Sequence, residues 1–176
     1  QAPTVLAGVP SLYAGLLLGV SDFENARTGS LRLLTSTGSH FREDLYGMLA
    51  ARVPQARILR NYGLTETYRG CCLLPEHTAA KPGSVGRPVE GVRIAVVSPE
   101  GRVLPPGEEG EIVHLGAGIF DRYLDDPEAT ARTRRLLEGE PAVFTGDIGR
   151  LDAEGFLTVL GRRDRLVKSL DQRVNL

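Results

Sequence analysis

Tryptophan is absent from this 176-residue chain, and methionine occurs once. Lysine is nearly absent too: only Lys81 and Lys168 stand among 21 cationic side chains, the rest being arginine. Cysteine is confined to the adjacent pair Cys71 and Cys72. Neighbouring cysteines rarely close a disulfide, and no metal-ligand spacing accompanies them, which excludes a disulfide framework or a zinc module as the organising element. The expectation is two small packed thiols and a reducing, cytoplasmic setting. An excess of either charge is also lacking, with 22 acidic residues against 21 basic ones. Such a balance argues against nucleic acid or a membrane surface as partner, because nothing would draw the chain to a phosphate-rich polymer. No long apolar run exists. The longest, from Val9 to Val20, contains Pro10, Gly15 and Gly19. It is shorter than the roughly 20 residues that a bilayer requires, and no basic segment precedes it as in a signal peptide.

What is present suits a packed α/β molecule. Apolar residues make up 41% of the chain, enough for one domain or two small subdomains. Thr4 to Gly8 reads as a strand, and Pro10 opens a helix through Leu18, since proline in the first turn forfeits no hydrogen bond. Leu31 to Thr35 reads as a second strand, and Ser39 as the cap of a helix from about His40 to Val53. Phe41, Leu45, Met48, Leu49 and Val53 fall on one face of that helix, and Pro54 ends it. Ala56 to Leu59 is a third strand that delivers Asn61, Tyr62 and Gly63. Strands separated by helices imply a parallel sheet, whose ligands gather at the carboxyl ends of its strands. Thr37-Gly38-Ser39 and Tyr62-Gly63 both lie at such ends.

Beyond residue 80 the pattern changes to strands at Val92–Val97, Gly110–Leu115 and Phe156–Leu160, with turns at Pro99-Glu100-Gly101 and Asp152–Gly155. One helix is expected at Pro127–Leu137, capped by Asp126. The expected fold class is therefore α/β: a partial parallel α/β sheet over residues 1–80, followed by a small antiparallel β-barrel-like subdomain over 81–163. Residues 164–176 read as a hinge and the start of a further domain.

Three short stretches combine groups suited to a nucleotide. In Tyr62-Gly63-Leu64-Thr65-Glu66, a ring can stack on a purine and a glycine admits close backbone approach. In the same stretch a hydroxyl can donate to phosphate, and a carboxylate can hold phosphate-bridging Mg²⁺. The same five residues also fit a β-turn with a polar strand start. In Thr145-Gly146-Asp147 the acid can accept from both ribose hydroxyls, although a plain turn has the same composition. In Gly161–Lys168, the planar fork of Arg162 can pair with phosphate or ribose oxygens, while a solvated charged linker is the plainer alternative.

The order of these stretches resembles the acyl-adenylate-forming superfamily of acyl-CoA synthetases, nonribosomal peptide synthetase adenylation domains and luciferases. Tyr62 to Glu66 match the family's Tyr-Gly-x-Thr-Glu motif. Gly110-Glu111-Ile112 with Gly116, Gly118 and Tyr123 match its Gly-Glu strand and the turn that follows. Pro127-Glu128-Ala129-Thr130, Thr145-Gly146-Asp147, the turn at Asp152–Phe156 and Gly161-Arg162-x-Asp164 match in sequence order.

The resemblance implies ATP-dependent activation of a carboxylic acid to acyl-AMP, then transfer to coenzyme A or to the phosphopantetheine of a carrier protein. It implies that Tyr62 stacks on adenine, with Thr37, Gly38, Ser39 and Asn61 lining that pocket. Thr65 and Glu66 act at the α-phosphate and Mg²⁺, Asp147 at the ribose and Arg162 on the nucleotide, while Asp164 serves as a pivot. It also implies that a phosphate loop with its lysine precedes Gln1, and that a further domain with a second lysine follows Leu176. The chain by itself is then expected to be an incomplete piece with little adenylation activity. Several residues depart from the family pattern: Arg60 where an adenine-facing amide is common, Arg122 before Tyr123, and Leu170-Asp171 where glycine is usual at 171. The segments implied to lie outside the chain, together with Asp171, motivate an alternative, a non-catalytic nucleotide-binding or interaction module.

Overall fold

A computed structural model describes residues 2–19, 22–23 and 25–163, together with the backbone of 166–169 and 172–175. The first block is parallel. Strand β1 (Val5–Gly8) pairs with β2 (Leu33–Ser36), and β2 pairs with β3 (Arg57–Tyr62). Helices α1 (Pro10–Leu18) and α2 (Glu43–Arg52) pack together over this block. Pro10 sits in the first turn of α1, as its fixed backbone angle favours. Phe41, Leu45, Leu49 and Val53 are buried with Tyr13, Leu34 and Ile58 in one core cluster. Met48, expected on that buried face, is 43% exposed. Helix α2 also begins later than expected. Its preceding residue is Arg42, with no side-chain cap, and Ser39 lies exposed in the loop. Glu43 and Asp44 in the first turn complement the exposed N–H groups electrostatically instead.

The chain then turns antiparallel through β4 (Cys71–Leu73), the short α3 (Pro75–Thr78) and β5 (Ser84–Pro88). None of these three was legible in the sequence, because each is short and β5 carries a left-handed glycine, Gly86, at φ 94°. Next come β6 (Val92–Val97), β7 (Gly110–Gly116), α4 (Pro127–Thr133), β8 (Arg134–Leu137), β9 (Glu140–Leu151) and β10 (Leu157–Arg162). Asp126 caps α4 as expected, accepting from the Ala129 N–H at 2.8 Å. The helix stops at Thr133, however, and does not run on to Leu137. Glu138 and Gly139, both at positive φ, make a two-residue turn that folds Arg134–Leu137 back onto Glu140–Val143 as a strand pair. That pairing buries Leu137 beside Val97, Val113 and Ala142.

The antiparallel strands do not close into a barrel. They continue the parallel block as one ten-stranded mixed sheet in the order β1-β2-β3-β4-β5-β10-β9-β7-β6, with β8 attached to β9. The β5–β10 pairing is the seam: β5 is paired on both sides, by β4 and β10, and β6 stays at the edge opposite β1. The expected turns are present. Asp152 Oδ1 accepts from the Glu154 and Phe156 N–H groups at 2.9 Å each, and Gly101 closes the β6 turn at φ 81°. Beyond residue 163, β11 (Leu166–Ser169) pairs antiparallel with β12 (Gln172–Asn175). Asp164, Leu170 and Asp171 lie outside the described residues. Cys71 and Cys72 are free thiols, one buried and one half-buried. Among the described residues, no helix is long and apolar enough to cross a membrane.

Two outcomes follow from this architecture. A Cβ on Gly86 would stand 1.9 Å from the Cys72 carbonyl oxygen, at a φ that side chains resist. Gly86→Ala is expected to destabilise the protein by about 3 kcal/mol or more, read as a lowered urea midpoint. Separately, the Tyr13 hydroxyl donates to the Thr35 carbonyl at 2.8 Å, and burial raises its pKa to about 12. The unfolded phenol ionises near pH 10. The stability tied to this neutral phenol is therefore complete below pH 10 and is lost as pH rises from 10 through about 12. Tyr13→Phe should flatten the fall in unfolding free energy across that window.

Candidate functional site

The site begins at the carboxyl end of β3. Tyr62 sits at the strand terminus, and the chain then loops through residues 63–70 before β4. Gly63 is required there, since a Cβ would lie 2.0 Å from the Tyr68 carbonyl oxygen. Buried Thr67 closes the loop: its Oγ1 accepts from the Leu64 N–H at 3.2 Å, and its own N–H donates back to the Leu64 carbonyl at 3.1 Å. This folding carries Glu66 toward the segment after β7. There the Glu66 carbonyl accepts from the Phe120 N–H at 2.9 Å, and the Tyr123 hydroxyl donates to Glu66 Oε1 at 2.7 Å.

The second wall comes from β9. The Asp147 carboxylate is 7% exposed and lies between two donors from distant segments. The Tyr62 hydroxyl reaches Oδ2 at 2.7 Å, and Arg162, at the end of β10, reaches Oδ1 at 2.8 Å. Burial, followed by the adjacent Asp147 charge, pushes the Tyr62 phenol well above its ordinary pKa, so it remains a donor. The backbone is held just as firmly. Thr145 Oγ1 donates to the Ile112 carbonyl at 2.7 Å and accepts from the Asp147 N–H at 3.1 Å.

Between these walls lies a cavity of about 260 Å³ lined by Glu66, Glu111, Tyr123, Thr145, Gly146 and Arg162, among others. Glu66 Oε2 is buried and has no hydrogen-bond partner. An unpaired carboxylate oxygen is costly unless something cationic or protic meets it. Mg²⁺ bound by one carboxylate, with waters and phosphate oxygens completing its shell, suits such a group. Among the described residues, no cluster of three or more His, Cys, Asp or Glu side chains is placed to hold a metal by itself.

The residues singled out from the sequence are thus distributed unevenly. Tyr62, Asp147 and Arg162 meet directly, and Glu66 joins Arg162 at the cavity wall. Ser39 and Asn61 line a smaller cavity of about 30 Å³, where both Asn61 amide atoms are buried without hydrogen-bond partners. Thr37 and Gly38 lie exposed after β2, at the carboxyl end of the strand beside β3, and line neither of the two cavities. Thr65 is exposed and also lines neither. Arg60 is turned toward α2, paired with Glu43 through two contacts of 2.5 and 2.8 Å and stacked over Tyr46. Two residues of the cavity wall had no assigned role in the sequence reading, Tyr123 and Glu111, although both lay within recognised motifs. His114 is buried, with its Nε2 2.8 Å from the Ala117 carbonyl, and carried no sequence signal because its β7 neighbours are apolar.

A family model described as AMP-binding enzyme matches residues 1–124. The chain is 37% identical over 175 residues to a 4-coumarate–CoA ligase 2 of Oryza sativa subsp. japonica, covering 94% of this chain and 29% of that protein. It is 36% identical over 132 residues to a D-alanine–D-alanyl carrier protein ligase of Lactiplantibacillus plantarum, covering 73% and 26%. Among solved structures, the crystal structure of IdnL1 superposes with a TM-score of 0.86 at 30% identity, covering 98% of this chain and 37% of that one. The chain therefore spans less than a third of the length of these two curated relatives. On the family match and on this likeness in sequence and structure, the chain belongs to the AMP-binding enzyme family.

Proposed function

We propose that this chain forms the adenosine-gripping part of an enzyme that activates a carboxylic acid with ATP. The enzyme forms acyl-AMP and passes the acyl group to a thiol. The observation that carries the reading is the buried Asp147 carboxylate, met by the Tyr62 hydroxyl and by Arg162, which itself lines the cavity. A ribose diol offers the same kind of O–H donor that Tyr62 supplies in the free protein, so Asp147 is already arranged as an acceptor. In this reading the Tyr62 ring stacks on adenine, Arg162 steadies the nucleotide, and Thr65 donates to the α-phosphate. Thr37, Gly38, Ser39 and Asn61 border the base. Glu66 would hold Mg²⁺, with its Oε1 steered by Tyr123 and its buried Oε2 lacking any hydrogen-bond partner within the protein. The bound ion would neutralise phosphate charge as the carboxylate attacks the α-phosphorus and pyrophosphate leaves. The contribution of the protein's own groups is mostly positioning and electrostatic stabilisation.

The acceptor in this reading is coenzyme A or a carrier-protein phosphopantetheine. One relative is named as a CoA ligase and another as a carrier-protein ligase, which supports both chemistries. Residues 1–80 would contribute the base and Mg²⁺ side and 81–163 the ribose side. Asp164 would serve as a pivot for the half-reactions, and a cytoplasmic location belongs to the same reading.

Acid-dependent exchange of labelled pyrophosphate into ATP, measured on the intact protein with a panel of carboxylic acids, tests the reading. Exchange with at least one acid is expected. Nucleotide binding without exchange for any acid would favour a non-catalytic module instead. Glu66→Gln should lower kcat by roughly 10²–10³ while leaving AMP affinity nearly intact. Asp147→Ala should weaken AMP binding by about 10- to 100-fold, read by calorimetry.

A further inference from the structure

The pairing of β7 with β9 breaks its register at one place. Glu111 opposes Ile148 and Val113 opposes Phe144, so the single residue Ile112 faces the three residues Thr145, Gly146 and Asp147. This bulge is what swings Asp147 toward Tyr62 and Arg162. It is pinned at its apex, Gly146, which adopts φ 72°. The Gly146 N–H donates to Glu111 Oε1 at 3.1 Å, and the Gly146 carbonyl accepts from the Arg163 N–H at 2.8 Å. The Arg163 side chain closes the ring by donating to Glu111 Oε2 at 3.2 Å. The Glu111 side chain is 12% exposed and that of Arg163 is 63% exposed. One carboxylate thus holds both the apex of the bulge and the residue that follows Arg162.

We propose that Glu111 is a positioning residue for ribose recognition. It acts through the Gly146 peptide to aim the Asp147 carboxylate, and Arg163 braces it. This inference rests on the nucleotide reading above. A surface ion pair alone would not reach a backbone amide at the crest of the bulge, whereas Glu111 does so with one oxygen and meets Arg163 with the other. Without Glu111 the Gly146 N–H loses its charged acceptor, and the apex is left with the Arg163 N–H on its carbonyl and Thr145 Oγ1 on the Asp147 N–H. Asp147 would then keep its charge and lose its aim.

The test compares AMP with 2′,3′-dideoxy-AMP on the intact protein by calorimetry, because the ratio of their affinities reports the contact to the ribose hydroxyls. The unaltered protein should prefer AMP, and Asp147→Ala should abolish the preference. Glu111→Ala should narrow the ratio by roughly tenfold. Glu111→Gln, which keeps an oxygen for the Gly146 N–H, should recover most of it. A Glu111→Ala protein that binds both ligands more weakly with an unchanged ratio overturns the inference, and so does a glutamine variant as poor as the alanine one. If Glu111→Ala loses its far-ultraviolet dichroism, Arg163→Ala decides. A ratio narrowed by about threefold supports the brace, and an unchanged ratio overturns it. Failure of the unaltered protein to bind AMP would instead overturn the nucleotide reading, and this inference with it.

Discussion

Burying the Asp147 carboxylate is the constraint on which this site depends. A carboxylate this far from water is tolerated only with charged or hydrogen-bonding partners, and here they come from residues 62 and 162. Tyr62 is 85 residues away in sequence, so the contact exists only if the intervening strands pair in one register. The order β3-β4-β5-β10-β9 supplies that register and brings the end of the parallel block against the antiparallel block. The displaced phenol of Tyr62 is the other side of the same fact, since the group that meets the buried anion must itself stay protonated.

Close backbone approach does the rest. Gly63 lets the loop after β3 fold under Tyr68, and Gly118 admits the following turn beside the Thr67 carbonyl, where a Cβ would be 2.7 Å away. These contacts put Phe120 and Tyr123 against Glu66. Away from the site, Lys81 fastens the β9–β10 turn by bonding Asp152 at 2.7 Å and lying over the Phe156 ring. It is one of only two lysines in the chain. The turn it holds sets the start of β10 and therefore the place where Arg162 emerges.

Much of the fold was legible residue by residue. Pro10 opening α1, Asp126 capping α4, and the turns at Gly101 and Asp152 all behave as their chemistry requires. The errors have physical causes. Ser39 resembles a cap, but the helix begins where Glu43 and Asp44 can face its N–H groups. Arg134–Leu137 carries a helical composition, yet the positive-φ pair Glu138-Gly139 and the buried site for Leu137 make it a strand. β4 is three residues long and β5 is interrupted by the left-handed Gly86, so neither leaves a periodic signal.

The sequence by itself determined the chemistry available here: an aromatic hydroxyl, an acid after Thr-Gly, a forked arginine and a motif glutamate, in an order that marks the family. Such features depend on backbone angles and spacing within a few residues, which local sequence records. The tertiary structure alone decided which of these groups meet. It joined Tyr62 to Asp147, turned Arg60 toward Glu43, left Thr65 exposed and set Glu111 beneath Gly146. Those outcomes depend on strand register and on which buried polar groups find partners, and both are properties of the packed chain rather than of any short segment of it.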